Sequence, residues 1–133
     1  MLQWYASDGT TPIGGLNFGK VGPGDSYHDK HSEYLEVVLK NEGAETIEDV
    51  VVDVTQMLGF PAYEYVRFAE GETEPGSEAF IEPHAGPLAI GNLTPASTAR
   101  LWFDLVVPAY APRAEMQRVR LVAYGYEGEG EGE

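Results

Sequence analysis

The polar segment from Asp25 to Glu33 concentrates the side chains that could do chemistry in this chain of 133 residues. His28, Asp29 and His31 lie within four consecutive positions of it. Imidazole nitrogens and carboxylate oxygens bind zinc and other divalent ions, but a site requires three or four converging ligands. A strand that begins at Glu33 would direct that side chain away from the loop. We therefore expect a solvated loop without a metal, and keep His28, His31 and Asp29 as candidate ligands only.

Other catalytic chemistries lack their motifs. A hydrolase would place Ser26 or Ser32 beside His28, but no Gly-x-Ser-x-Gly elbow surrounds either serine. The Gly22-Pro23-Gly24 turn is not followed by the Gly-Lys-Ser or Gly-Lys-Thr of a phosphate loop. Carboxylate pairs for glycoside hydrolysis can be chosen anywhere among 22 acidic residues, so they identify no site. The sequence predicts no catalytic residue, no cofactor and no enzyme.

The outward positions of the last two predicted strands have the composition of a protein interface. A solvent-exposed face usually carries charge, whereas Trp, Tyr and Arg are enriched at binding hot spots. The aromatic N-terminal segment either covers this face or crosses to a neighbouring molecule. The predicted interface residues are Trp102, Arg100, Arg118, Arg120, Val122, Tyr124, Trp4 and Tyr5.

Strands must position these side chains, because the apolar residues of the chain recur at every second position. Leu35, Val37 and Leu39 share one face of a segment, and Leu101, Phe103 and Leu105 share one face of another. This period is typical of half-buried strands. No window has a helical period over three turns. The sequence therefore predicts an all-β protein, an immunoglobulin-like antiparallel β-sandwich of about seven to nine strands.

The length of the chain favours one domain. Residues 1–14 are predicted to be an N-terminal strand or arm, and residues 15–126 the β-sandwich. Residues 127–133 alternate glutamate with glycine, and mutual repulsion predicts a disordered acidic tail.

Composition restricts the partners. A net charge of −14 repels nucleic acid phosphates and anionic lipid head groups, so we expect neither nucleic acid nor a membrane as a partner. The absence of cysteine excludes disulfides and thiolate metal sites. The N-terminal residues lack the basic and apolar regions of a signal peptide. We therefore expect the protein in the cytoplasm or in a virion.

The glycine, asparagine and proline residues at the predicted turns resemble those of known families. The sequence contains the pattern Phe18-Gly19-x-Val21-x-x-Gly24, a strand that ends at Asn41-x-Gly43, and Leu93-Thr94-Pro95 before a later strand. These three features are similar to those of immunoglobulin-like domains of the Hydin and abnormal-spindle type. A stand-alone domain that opens with Trp4, Ser7, Asp8 and Gly9 also resembles small accessory proteins of tailed bacteriophage virions. Those proteins act by binding on tails, baseplates or capsids, and the resemblance transfers no functional residue.

Together these observations predict a non-catalytic structural or interaction module, in the first place a virion decoration, tail or baseplate protein. Its partner would be a protein, through self-association or within a larger viral assembly. Two alternatives stay open: a cytosolic adaptor domain that binds a cationic protein, and a metal- or carbohydrate-binding β-sandwich.

Overall fold

Strands form most of the computed structural model, which describes residues 1–56, 65–82, 87–110 and 118–127. Among the described residues, a turn of 3-10 helix spans Ser77–Ala79, and a short helix, α1, spans Tyr27–His31. Within the described ranges, no helix has the length and apolar character needed to cross a membrane. The strands are β1 Leu2–Ala6, β2 Gly15–Asn17, β3 Leu35–Asn41, β4 Ile47–Gln56, β5 Val66–Glu70, β6 Leu88–Leu93, β7 Thr98–Leu105 and β8 Arg118–Glu127.

The strands form two four-stranded antiparallel sheets. Sheet I has the order β1-β3-β7-β5, and sheet II has the order β2-β8-β4-β6. The inward side chains of both sheets form one apolar core, in which the rings of Phe68 and Phe103 stack with centroids 5.2 Å apart. Burial of this apolar surface, at roughly 25 cal/mol per Å², is the main force that holds the sheets together. The predicted all-β sandwich is confirmed, with eight strands in the described residues.

Helix α1 occupies part of the segment that was predicted to be a loop. Ser26 caps its start, because the Ser26 hydroxyl accepts a hydrogen bond of 3.1 Å from the backbone N–H of Asp29. Ser32 ends it in the left-handed conformation, with φ of 59°. Tyr27 anchors the helix by packing edge-on against Phe18. Five residues are too few for a periodicity test, which needs windows of about 11 residues or more, so the sequence pattern missed this helix.

The N-terminal segment belongs to the sandwich. β1 lies at the edge of sheet I and pairs with β3, with Trp4 opposite Leu39. Trp4 faces the core and is 7% exposed. This burial corrects the expectation that Trp4 is available to a partner. The apolar alternation of a five-residue strand gave too little signal to assign the side that Trp4 faces.

The C-terminal strand extends one residue into the segment that was assigned to the tail, because β8 includes Glu127. Residues 128–133, which hold the rest of the predicted disordered tail, lie outside the described residues.

Candidate protein-binding surface

The predicted interface does not form one surface, because β7 lies in sheet I and β8 lies in sheet II. Arg100 and Trp102 therefore face outward on one side of the sandwich, while Val122 and Tyr124 face outward on the other. Alternation identifies the outward side of each strand but not the sheet to which the strand belongs. The expectation of a continuous interface across β7 and β8 is wrong for this reason.

On sheet I, the predicted interface residues are held by contacts within the chain. The Arg100 guanidinium forms an ion pair with Glu36 and lies 3.4 Å from the carbonyl oxygen of Ser7. The Trp102 indole N–H donates a hydrogen bond of 2.8 Å to the carbonyl oxygen of Gly71, and the side chain is half-buried. These contacts reduce the surface that both residues offer to a partner.

Tyr5 is also engaged within sheet I. Its hydroxyl donates a hydrogen bond to the carboxylate of Glu42. This bond, together with burial and the charge of Glu42, raises the pKa of Tyr5. Tyr5 is half-buried beside Val38, its partner in β3. Its contacts link β1 to the end of β3, which is a structural role.

A row of rings covers the far end of the same face. His28 stacks on Tyr34 with ring centroids 4.1 Å apart, and Tyr34 packs on Phe80 with centroids 4.6 Å apart. The Cζ atom of Arg67 lies 5.7 Å from the centroid of the Phe80 ring. Asp104, which is 5% exposed, lies in this region and accepts a hydrogen bond of 2.9 Å from the backbone N–H of His28. The outer side of sheet I therefore carries its own small packed layer.

The two histidines among the metal candidates pack against different aromatic rings. His28 stacks on Tyr34, whereas the ring of His31 lies 4.2 Å from that of Tyr27. Asp29 is exposed and lies 3.9 Å from the Nδ1 atom of His28. In the part of the chain that the structure describes, no three His, Asp or Glu side chains are grouped to hold a metal ion.

Among the described residues, sheet II presents the most exposed aromatic pair on a strand. Tyr124 is 58% exposed and Tyr126 is 73% exposed. Both lie on the outward side of β8, with half-buried Val51 opposite Tyr124 in β4. Among the predicted interface residues, Val122 and Arg120 share this side, whereas the side chain of Arg118 lies outside the described part of the structure. Tyr126 was missed, although its position two residues after Tyr124 places it on the same face.

Gly125 and a β-bulge hold the two tyrosines in place. Asp49 and Val50 of β4 together face Gly125 of β8, which is the two-against-one pattern of a bulge. A side chain at Gly125 would place its Cβ 2.8 Å from the carbonyl oxygen of Glu48. Asp49 adopts φ of 54°, and its backbone N–H donates a hydrogen bond of 3.0 Å to Asn92 of β6. Glycine thus lets β8 approach the bulge closely.

A hollow of about 390 Å³ lies at this bulge. Val51, Pro87, Tyr124 and Tyr126 line it with mostly apolar surface, and Asp49 also borders it. This volume is within the range of small binding sites, roughly 300–1,000 Å³.

The surroundings of the hollow are acidic. Glu48 lies opposite Tyr126 in the register, and Asp53 lies opposite Val122. The ion pairs formed within the described residues include neither Glu48, Asp49 nor Asp53. Arg120 is an exposed cation on this face, farther along β8 and opposite Thr55. The exposed rings and the carboxylates together favour a ligand that is both apolar and positively charged.

Comparison of the chain with protein-family models, with curated proteins and with solved structures found no match. Exposed phenol rings supply apolar contact and hydroxyl groups at low cost in side-chain entropy, which is a common property of protein-binding surfaces.

Proposed function

We propose that this domain is a non-catalytic interaction module that binds a protein through the outer face of sheet II. The observation that carries the proposal is the exposure of Tyr124 and Tyr126 side by side over an apolar hollow. Contact with a partner would bury these rings and gain roughly 25 cal/mol per Å² of apolar surface. Aromatic anchors beside a pocket are the usual centre of binding energy in protein interfaces.

The charges on this face favour a cationic segment as the partner. Glu48, Asp49 and Asp53 supply three carboxylates, and the chain as a whole carries a net charge of −14. A lysine or arginine side chain can lie over a phenol ring and also pair with a neighbouring carboxylate. The long-range field also increases the association rate of a cationic partner. These features support the adaptor alternative that the sequence left open.

Assembly on a virion particle, self-association, and a location in a virion or in the cytoplasm stay predictions of the sequence. So does the relationship to immunoglobulin-like domains of the Hydin and abnormal-spindle type. Purification from the native source, followed by sedimentation, tests the assembly predictions, because a structural protein of a particle sediments with that particle in a fixed ratio.

The binding proposal is tested with a short peptide of alternating lysine and valine as the probe, at low salt. Its binding is followed through the backbone amide signals of the labelled protein in NMR titrations. We expect the largest shifts at Val51 and from Tyr124 to Tyr126. Replacing both tyrosines, Tyr124→Ala with Tyr126→Ala, should weaken binding by at least about tenfold, as truncation of aromatic hot spots does.

Tyr110→Ala is the matched control, because Tyr110 is 87% exposed and lies outside both sheets. This variant should bind the peptide as the wild type does. Shifts spread evenly over the acidic surface, or equal affinity in the double variant, would show that the peptide is attracted by net charge alone and would overturn the proposal.

A further inference from the structure

A second hollow, of about 310 Å³, lies between α1 and the loop that follows β2. Three potentially cationic side chains line it, namely Lys20, Lys30 and His31. Phe18 and Tyr27 also line it. The chain has only 8 lysine and arginine residues against 22 acidic residues, so the meeting of two lysines at one hollow is unusual for this protein.

The core determines the position of these cations. Phe18 and Tyr27 are buried, and their rings meet edge-on with centroids 5.6 Å apart. This contact holds the loop after β2 against α1. Gly19 turns that loop with φ of 73°, and its N–H donates a hydrogen bond of 2.8 Å to the side chain of Asn17. Lys20 follows this turn and is exposed beside the hollow.

The cations are not neutralised within the described chain. None of the ion pairs between the described residues includes Lys20, Lys30 or His31. Burial and the charge of Glu33 raise the pKa of Tyr27, so its hydroxyl stays protonated at neutral pH and can donate a hydrogen bond. Among the described residues, no hydrogen bond uses this hydroxyl. The hollow therefore offers donors and two lysines, and Glu33 is the acidic residue whose charge acts on the Tyr27 side chain there.

We propose that this hollow binds the phosphate group of a small phosphate monoester. Two ammonium groups match the double charge of a monoester, whereas a carboxylate would balance only one of them. Lysine is a common phosphate ligand as a point charge. The aromatic side chains beside the cations can contact the organic part of the ligand. The volume is at the lower end of the range for small-molecule sites.

This site is separate from the tyrosine surface of sheet II. Asn17 pairs with Arg118 at the start of β8, and Tyr126 lies near the other end of that strand. Eight residues of strand, at about 3.4 Å each, separate them by roughly 25 Å. Failure of one proposal therefore leaves the other unaffected.

Phenyl phosphate is the probe, with inorganic phosphate and benzoate as comparison ligands, in amide NMR titrations of the full chain. We expect saturable shifts at Gly19, Lys20 and Lys30 with phenyl phosphate, weaker binding of inorganic phosphate, and the weakest binding of benzoate. Lys20→Gln or Lys30→Gln should each weaken binding by about fivefold, the effect of losing an exposed charge contact of about 1 kcal/mol.

Lys40→Gln is the matched control, because it changes the net charge equally but lies in β3, where Lys40 is 4.0 Å from Glu42. It should leave the affinity for phenyl phosphate unchanged. Equal losses in all three variants would assign the effect to overall charge, and benzoate binding as tight as phenyl phosphate would exclude the match to a dianion. Either result, or shifts that do not saturate, overturns the proposal.

Discussion

The carboxylate of Asp104 accepts a hydrogen bond from the backbone N–H of His28 at 2.9 Å, although 76 positions separate the two residues. This bond ties the first turn of α1 to β7. Burial raises the pKa of Asp104, while the backbone N–H groups of His28 and Leu105 and the nearby charges of His28 and Arg67 act in the opposite direction. Burial outweighs these opposing effects, so the pKa of Asp104 lies above its ordinary value in the folded state.

The raised pKa of Asp104 predicts that this group lowers stability as pH rises. Between its unfolded pKa, about 3.9, and its higher folded pKa, the folded state binds more protons than the unfolded state. The free energy of unfolding must then fall with rising pH across that window. Asp104→Asn keeps an acceptor for the His28 N–H and removes the charge. We expect it to be at least as stable as the wild type at pH 7 in urea unfolding.

Asp104→Ala serves as the control for the hydrogen bond. It leaves the backbone N–H of His28 without this acceptor and should cost about 1–3 kcal/mol at pH 7. If Asp104→Asn were as destabilised as Asp104→Ala, the negative charge itself would be required, and the interpretation that burial disfavours the charged carboxylate would be wrong.

Asn41 is expected to be the most costly polar residue to replace. It is fully buried, and its side-chain amide donates to the carbonyl oxygens of Glu45 and Leu93 at 2.8 and 2.9 Å. Its side-chain oxygen accepts from the backbone N–H of Gly43. Because Leu93 belongs to β6, Asn41 joins sheet I to sheet II. Asn41→Ala should lower the free energy of unfolding by at least about 2 kcal/mol.

Asn92→Ala provides a comparison for Asn41. Asn92 is exposed, and its side-chain oxygen accepts a hydrogen bond from the backbone N–H of Asp49. Its replacement should cost less than about 1 kcal/mol, because water can satisfy the freed N–H. Similar losses in the two alanine variants, measured by urea unfolding, would contradict the link between the sheets.

Gly125→Ala is predicted to disturb both stability and the tyrosine surface. The added Cβ would lie 2.8 Å from the carbonyl oxygen of Glu48 and from a methyl group of Ile47, and the backbone would have to shift. We expect a loss of about 1–3 kcal/mol, with changed amide signals at Tyr124 and Tyr126. Gly14→Ala is the control, because a Cβ there meets no atom within 4 Å. Equal melting temperatures for the two variants would refute the close approach of β8 to the bulge.

Asp8 should titrate with a pKa of about 2. The Thr11 hydroxyl and the backbone N–H groups of Thr10 and Thr11 donate to its carboxylate and stabilise the charged form. The effect of Asp8 on the pH dependence of stability is opposite to that of Asp104. Asp8 adds to the free energy of unfolding above its unfolded pKa, and this contribution is lost as pH falls towards 2. Carboxyl carbon NMR signals measure this value, and a midpoint near 4 would exclude the turn geometry. Asp8→Asn should remove that acid-sensitive contribution.

The fold could be predicted from the sequence because its alternation is local. Leu101 and Phe103 are inward, and Val122 and Tyr124 are on the opposite side of β8 from the core, as the pattern indicated. The surface could not be predicted as well, because it depends on pairing between distant strands. No local pattern places β7 and β8 in different sheets, and the bulge at Asp49 arises only when β4 meets Gly125.

The edge position of β6 has a consequence for handling the protein in solution. Leu88–Leu93 contains neither a charged residue nor proline, the two features that commonly prevent edge strands from pairing with another molecule. Gly91, with φ of 88°, interrupts the regular hydrogen-bond pattern of β6. Repulsion between molecules that each carry a charge of −14 opposes edge-to-edge pairing more strongly. At 1 M salt the screening length falls to about 3 Å. Concentrated solutions of the protein should therefore stay clear at low salt and become turbid through association at 1 M salt.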